Sequence, residues 1–280
     1  MAGQSFSIIN NLNSYNAQRN LGLSSSGLNS ALGKMSSGLQ INSASDDAAG
    51  LAIGSGLKAD FMALSQAVRN VNDGIGVVQV ADGALSQMSD MLGRATQLAS
   101  QAATGTLSAD ERKMVNTEYQ QIMQEINRVA DFTNYRGEKL FSQDGAVTKS
   151  IAVGDTQLQS DITISIGGAG GVGTASLGLS GTTLNTPEEA QNALSQISDA
   201  IGNLSQMRGA LGSQENRLYN AVGIIQVQSQ NILAAESSIM DANMATEVSN
   251  LTKNRILMES GMASIAQANA SNQMVLQLFR

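Results

Sequence analysis

Cysteine, histidine and tryptophan are all absent from the 280 residues, and proline occurs once, at Pro187. Without cysteine and histidine the chain has no disulfide framework, thiol nucleophile, Cys/His zinc site or imidazole base. Aromatic residues make up only 3% of the chain, thin for a globular core. A near-absence of proline suits long helices. No apolar run reaches the ~18 residues of a membrane span, so no membrane insertion is expected. The net charge of −7 argues against nucleic acid, whose phosphates require clustered Lys and Arg. The opening MAGQSFSIINNLNSYNAQR has neither a basic leader segment nor an apolar stretch of about 7–15 residues, so no cleavable secretory signal is expected. No cofactor and no metal are expected.

Charge is scarce locally as well. The first 45 residues hold Arg19 and Lys34 and no acid. A helix face meant for water normally carries Lys and Glu. Ser, Asn, Gln and Gly stand there instead, which suits close helix–helix contact through hydrogen-bonding side chains. The plainer alternative is a disordered polar tail.

What the chain does have is periodicity. From Ala190 to Ile239 a 4-3-4-3 spacing runs unbroken, through Leu194, Ile197, Ile201, Leu204, Arg208, Leu211, Glu215, Leu218, Val222, Ile225, Ser229 and Ile232. Apolar residues recurring every 3.5 positions predict one straight helix whose seam faces another helix. Fifty such residues make a rod of roughly 75 Å, whereas a compact globule of this length has a radius of gyration of about 19 Å. An elongated molecule is expected, of the kind that is stacked.

Other segments follow the same logic. Ile8, Leu12 and Tyr15 begin a stripe that slips phase near Arg19 and resumes as Leu21, Leu28, Leu32, Met35 and Leu39. INSASDDAAG (41–50) reads as a break, with Ser45, Asp46 or Asp47 as helix cap. A long helix carries Phe61, Leu64, Val68, Val71, Ile75, Val78, Leu85, Met88 and Leu92. TGTLSADE is a turn in which Ser108 and Glu111 form a capping box, and the helix after it shows Val115, Tyr119, Ile122, Ile126 and Val129. Gly and Thr rise after Phe132, and 147–153 and 162–166 alternate like strands. Thr186 and Pro187 fit the cap and first turn of the next long helix. Its seam fails after Ile239, and a second stripe in a new phase runs Val248, Leu251, Arg255, Met258, Met262, Ile265, Asn269, Asn272, Leu276 and Phe279.

The expected fold is mostly α: an elongated helical hairpin with terminal coiled-coil arms, a long-helix rod and a small β-hairpin patch. The divisions are an N-terminal arm (1–40), a joint (41–57), the first part of the rod (58–141), a Gly-rich β patch (142–186), the long C-terminal rod helix (187–239), a second joint (240–247) and a C-terminal arm (248–280). The arms pair with each other, and so do the long helices. Because a lone helix in water is marginal, the C-terminal arm is expected to be disordered in the monomer and helical once neighbours cover it. Packing of both arms into a soluble bundle is the alternative.

Three patterns resemble chemistry. Gly168, Gly170 and Gly173 form GxGxxG, but no amphipathic helix follows to receive a pyrophosphate, so a flexible loop is expected. Ser55 and Lys58 match S-x-x-K without its companion motifs and read as one helical turn of surface. Asp46 and Asp47 are adjacent and do not share a helix face, so a cap or turn role is expected. No enzyme emerges.

The ends carry a resemblance. INSASDDAAGLAI (41–53), preceded by ALGKMSSGLQ, resembles the N-terminal core of bacterial flagellins. ESSIMDANMATEVSNLTKNRIL (236–257), SIAQANASNQMVLQLFR (264–280) and LGSQENRL (211–218) resemble the C-terminal core. The resemblance spans roughly 1–141 and 187–280 and implies a short form with almost no variable outer domain. It implies a structural subunit, exported unfolded, that polymerises into the motility filament of a bacterium, secreted outside the cell or enclosed in a periplasm. Implied partners are identical subunits in a helical homopolymer, the flagellar export apparatus, an export chaperone, and filament cap and junction proteins. The arms would assemble through Ile8, Leu12, Tyr15, Leu28, Leu32, Met35, Leu39, Val248, Leu251, Met258, Met262, Ile265, Leu276 and Phe279. Arg94, Leu98 and Glu118 fall where relatives are read by the flagellin-sensing Toll-like receptor, while Gly93, Thr96 and Gln97 depart from that more charged pattern. The competing readings are a hook–filament junction or minor filament protein and a soluble helical-bundle binding protein.

Overall fold

A computed structural model of the chain describes residues 11–141, 145–154, 161–167 and 171–278. Five helices dominate: α1 (Leu12–Ser37), α2 (Ala48–Ala102), α3 (Ala109–Phe132), α4 (Pro187–Met240) and α5 (Met244–Leu278). Between α3 and α4 lie β1 (Asn134–Tyr135), β2 (Glu138–Lys139), β3 (Val147–Ala152) and β4 (Asp161–Ile166). The chain divides into two compact units, residues 1–59 with 232–280, and residues 60–231.

In the second unit the seven-residue period of α4 is expressed directly. Ala190, Ile197, Leu204, Leu211, Leu218 and Ile225 are all buried, one per heptad. The alternate seam row contains two charges, and each is met from α2. Arg208 bonds Asp82, and Glu215 accepts from the Gln79 amide at 3.1 Å. On α2 the buried row runs Leu64, Ala67, Val71, Ile75, Val78, Ala81, Leu85, Met88, Leu92, Ala95 and Ala99.

The turn into α3 is held by two devices. The expected capping box is present: the Ser108 N–H donates to Glu111 Oε2 (2.8 Å), and Ser108 Oγ accepts from the Glu111 N–H (3.3 Å). The second device is Arg112. It is buried, with Nε donating to the Ala102 carbonyl (2.9 Å) and Nη2 to the carbonyls of Thr104 (3.2 Å) and Leu107 (3.3 Å). These oxygens belong to the end of α2 and its turn, where helix carbonyls lack intrahelical partners and a cation is favoured.

The strands form two antiparallel hairpins, β1–β2 and β3–β4. Arg136 and Gly137 turn the first, both at positive φ, as a two-residue hairpin loop needs. In the second, Val147, Lys149 and Ile151 face Ile166, Ile164 and Ile162 across one side of the sheet. That side lies on α2 at Gly74, where a Cβ would stand 2.0 Å from Ile151 Cδ1. On the α4 side the Gln214 amide pairs with both backbone groups of Ser165, accepting from its N–H (3.0 Å) and donating to its carbonyl (3.1 Å).

The segment after the glycine-rich stretch departs from expectation. Gly168 and Gly170 lie outside the described residues, but 171–184 is not a flexible loop. It buries Val172, Leu177, Leu179 and Leu184 and is stapled to α3 by polar side chains. Asn127 Oδ1 accepts from the N–H (2.9 Å) and hydroxyl (3.0 Å) of Thr174, and Asn116 Oδ1 accepts from the Leu184 N–H (2.9 Å). The Gln120 amide donates to the Thr182 carbonyl (2.7 Å), and the Tyr119 hydroxyl meets that of Thr182 at 2.6 Å. Burial raises the Tyr119 hydroxyl above its usual 10.0, opposed by the Thr182 bond.

In the first unit α1 and α5 pair along their length. Among the described residues both arms are helical and packed on each other. The physical reason is the seam itself. Ser14, Ala17, Leu21, Ser24, Leu28, Ala31 and Met35 line α1, opposite Leu251, Asn254, Met258, Gly261, Ile265 and Ala268 on α5. Small residues let the backbones approach closely. A Cβ on Gly27 would stand 2.8 Å from the Asn254 amide nitrogen, and one on Gly261 would stand 3.3 Å from Leu21 Cδ1.

The two joints are shorter than the sequence suggests, since α2 already begins at Ala48 and only 241–243 separate α4 from α5. They pair with each other. The Gln40 N–H donates to the Met240 carbonyl (2.7 Å), and the Ala242 N–H donates to the Gly38 carbonyl (2.9 Å). Met240 Sδ lies against Gly54, where a Cβ would be 2.5 Å away.

Candidate assembly surface

The two adjacent aspartates in the first joint divide their work. Asp47 caps α2, its Oδ1 accepting from the Ala49 N–H at 3.0 Å. Asp46 Oδ2 accepts from the N–H groups of Ser43 (2.9 Å) and Asn42 (3.1 Å) and from the Ser43 hydroxyl. Those bonds, the Ser43 N–H first, hold its carboxyl below the usual 3.8, and the charge of Lys34 adds to them. Ser55 Oγ donates to the Leu51 carbonyl at 2.6 Å, the ordinary helical back-bond of a serine.

The stripe read on the C-terminal arm splits into two rows. Leu251, Met258 and Ile265 are half-buried in the seam with α1, whereas Val248 and Met262, one heptad position over, are exposed. The N-terminal stripe splits likewise. Leu28 and Met35 belong to the seam, while Leu12, Leu32 and Tyr15 point away from it, Tyr15 being 72% exposed. Leu39 is not on a helix. It sits past the end of α1, in an isolated bridge with Asp241, because Gly38 in the left-handed conformation ends the helix first. Ile8 and Phe279 lie outside the described residues, as does the side chain of Leu276.

An apolar scan missed the polar half of the seam: Ser14, Ser24 and Asn254 are invisible to it, as are the small residues Ala17, Gly27 and Gly261. It also missed Leu23, Ile256, Leu257 and Met274, which are exposed on the outer faces. The only local signal for the former was the missing charge in the first 45 residues. The arms thus keep one face of each helix for the hairpin and leave further apolar side chains exposed on their other faces. A coiled pair with an uncharged seam and apolar side chains around its outside is suited to packing against further helices.

The family model for the bacterial flagellin N-terminal helical region matches residues 8–146, and that for the C-terminal helical region matches 194–279. A flagellin of Halalkalibacterium halodurans is 37% identical over 277 residues, covering 98% of this chain and all of that protein. The chain belongs to the bacterial flagellin family. Flagellin FlaB2 of Treponema pallidum is 35% identical over 286 residues, covering 98% of this flagellin and all of that one. The flagellar filament 33 kDa core protein of Treponema phagedenis is 34% identical over 290 residues with the same coverage. Among solved structures, Bacillus cereus flagellin aligns with a TM-score of 0.49 at 28% identity, covering 60% of this chain and 94% of that one. A flagellar hook-associated protein of Vibrio parahaemolyticus shares the fold, with a TM-score of 0.58 at 16% identity over 70% of this chain and all of that one.

The positions matched to the immune-receptor surface separate in the flagellin structure. Arg94 and Glu118 are exposed and bonded to each other, Nε and Nη2 donating to Glu118 Oε1 at 3.1 and 2.7 Å. Leu98 is 2% exposed and belongs to the core, beside Ala95, Ala99 and Ala102 on the buried side of α2. No helix among the described residues is long and apolar enough to cross a membrane.

Proposed function

We propose that this flagellin polymerises through the outward-facing apolar side chains of its two arms: Leu12, Tyr15, Leu23 and Leu32 on α1, and Val248, Ile256, Leu257 and Met262 on α5. The chain is a structural subunit of the bacterial flagellar filament, as its similarity to proteins named flagellin and flagellar filament core protein supports. The observation that carries the arm assignment is the pairing of α1 with α5 through one face each, which leaves apolar side chains exposed on the other faces of both helices. Covering about eight such side chains removes enough apolar surface to drive association, at roughly 1.5–3 kcal/mol each before ordering costs.

The subunit is exported through the flagellar apparatus with a chaperone to hold it and a cap and junction proteins to receive it, and it acts outside the cytoplasm. The Arg94–Glu118 pair serves packing between neighbouring subunits. Contact with the flagellin-sensing Toll-like receptor is the second reading of that pair, favoured by its exposure.

Seeded growth tests the proposal. Sheared filaments are added to purified subunits and elongation is followed by light scattering. The Val248→Glu, Ile256→Glu variant places charges on the outer faces of α5 only, so the α1–α5 pair persists while elongation stops. Elongation by this variant at the unsubstituted rate removes these faces from the assembly role. A monomer that ignores seeds at every concentration favours the bundle reading.

A further inference from the structure

The exposed apolar surface of α5 is rich in thioether. Among the described residues its large exposed apolar side chains are Met244, Val248, Ile256, Leu257, Met262 and Met274, so half of them are methionines. Met244, Met262 and Met274 are 45%, 50% and 55% exposed, open enough for a small oxidant to reach each sulfur. In the second unit Met88 and Met123 are buried, while Met62 and Met114 are exposed. The surroundings of the arm contain few charges, and among the described residues Arg255–Glu259 is the one ion pair on α5.

We propose that Met244, Met262 and Met274 are peroxide-sensitive modification sites that gate polymerisation. This rests on the reading above that identical subunits cover the exposed apolar side chains of the arms, and extends it to Met244 and Met274. A peroxide O–O bond breaks as a methionine sulfur attacks one oxygen. The sulfur gives up two electrons and becomes a sulfoxide, and the other oxygen leaves as water. The product is polar and chiral where the thioether was apolar. On a free subunit the change is tolerated, because these side chains face solvent. In a subunit contact the sulfoxide must be desolvated, so the oxidised arm loses the surface that a second copy would cover. Methionine sulfoxide reductases reverse the modification.

The test uses the full chain with dilute hydrogen peroxide. Peptide mass mapping scores one added oxygen at each methionine, and seeded growth is measured before and after. Growth falls about tenfold or more once all three are oxidised and recovers after treatment with the two stereospecific reductases. The Met244→Leu, Met262→Leu, Met274→Leu variant keeps its apolar bulk and cannot be oxidised there. Compared with its own untreated rate, it resists the same peroxide dose even though exposed Met62 and Met114 still react. Assembled filament protects the three sites, while free subunits do not. Growth that survives oxidation of all three overturns the inference alone, as does equal loss in the leucine variant. Absence of seeded growth before any oxidation overturns the arm assignment and this inference together.

Discussion

Arg208 on α4 holds Asp82 on α2 with two parallel hydrogen bonds, Nε to Oδ1 at 2.8 Å and Nη2 to Oδ2 at 3.2 Å. The Asp82 bond is the first cause raising the guanidinium above its usual value, with the charges of Asp82 and Asp90 adding to it. The fork-on-fork geometry is the strongest kind of surface ion pair. At 39% and 42% exposure, though, solvent screens it. A double-mutant cycle with Asp82→Ala and Arg208→Ala should give a coupling of about 0.5–1 kcal/mol in urea unfolding, falling in high salt. A coupling near zero at low salt means the seam tolerates its charges without using them.

Two glycines of α2 should answer alanine with opposite signs. At Gly74 the new methyl meets Ile151 Cδ1, so β3 or its side chain must move, at a cost of roughly 1–3 kcal/mol. At Gly83 nothing lies within 4 Å, and alanine should gain up to about 1 kcal/mol from helix propensity. Thermal unfolding of both variants decides it; equal shifts would mean that the hairpin does not rest on Gly74.

Arg112→Ala leaves the carbonyls of Ala102, Thr104 and Leu107 without their cation, for a loss of about 2–3 kcal/mol. Hydrogen exchange should rise first in residues 102–108. Lysine, a point charge without the planar fork, should restore only part of the loss. Full stability in Arg112→Lys would show that charge alone matters there.

The capping box titrates. The Ser108 N–H, then its hydroxyl, hold the Glu111 carboxyl below its usual 4.5. A lowered folded value means the contribution is present above the unfolded value and is lost as pH falls through the folded one. The stability gap between the unsubstituted chain and Glu111→Gln should therefore be constant above about pH 5 and close as the carboxyl protonates below it. A gap that persists at pH 2–3 would assign the effect to shape rather than charge.

Much of this flagellin is determined by its sequence alone, because helices advertise themselves locally. The seven-residue period from Ala190 to Ile225 is buried as read, and the Ser108–Glu111 box and the Thr186–Pro187 start need only residues three or four apart. The alternation in 147–152 and 161–166 needs only neighbours. What tertiary structure decided is whatever depends on a partner distant in the chain. Arg208 and Glu215 look like faults in an apolar seam until Asp82 and Gln79 arrive from more than a hundred residues away. The strap at 171–184 looks loose until Asn116 and Asn127 bond its backbone. The single stripe on the C-terminal arm becomes two rows only when α1 chooses the side of α5 that carries Asn254 and Gly261. Periodicity shows that a face exists; which rows of it are covered depends on how closely two backbones approach, and that is set by small residues no hydrophobic scan records.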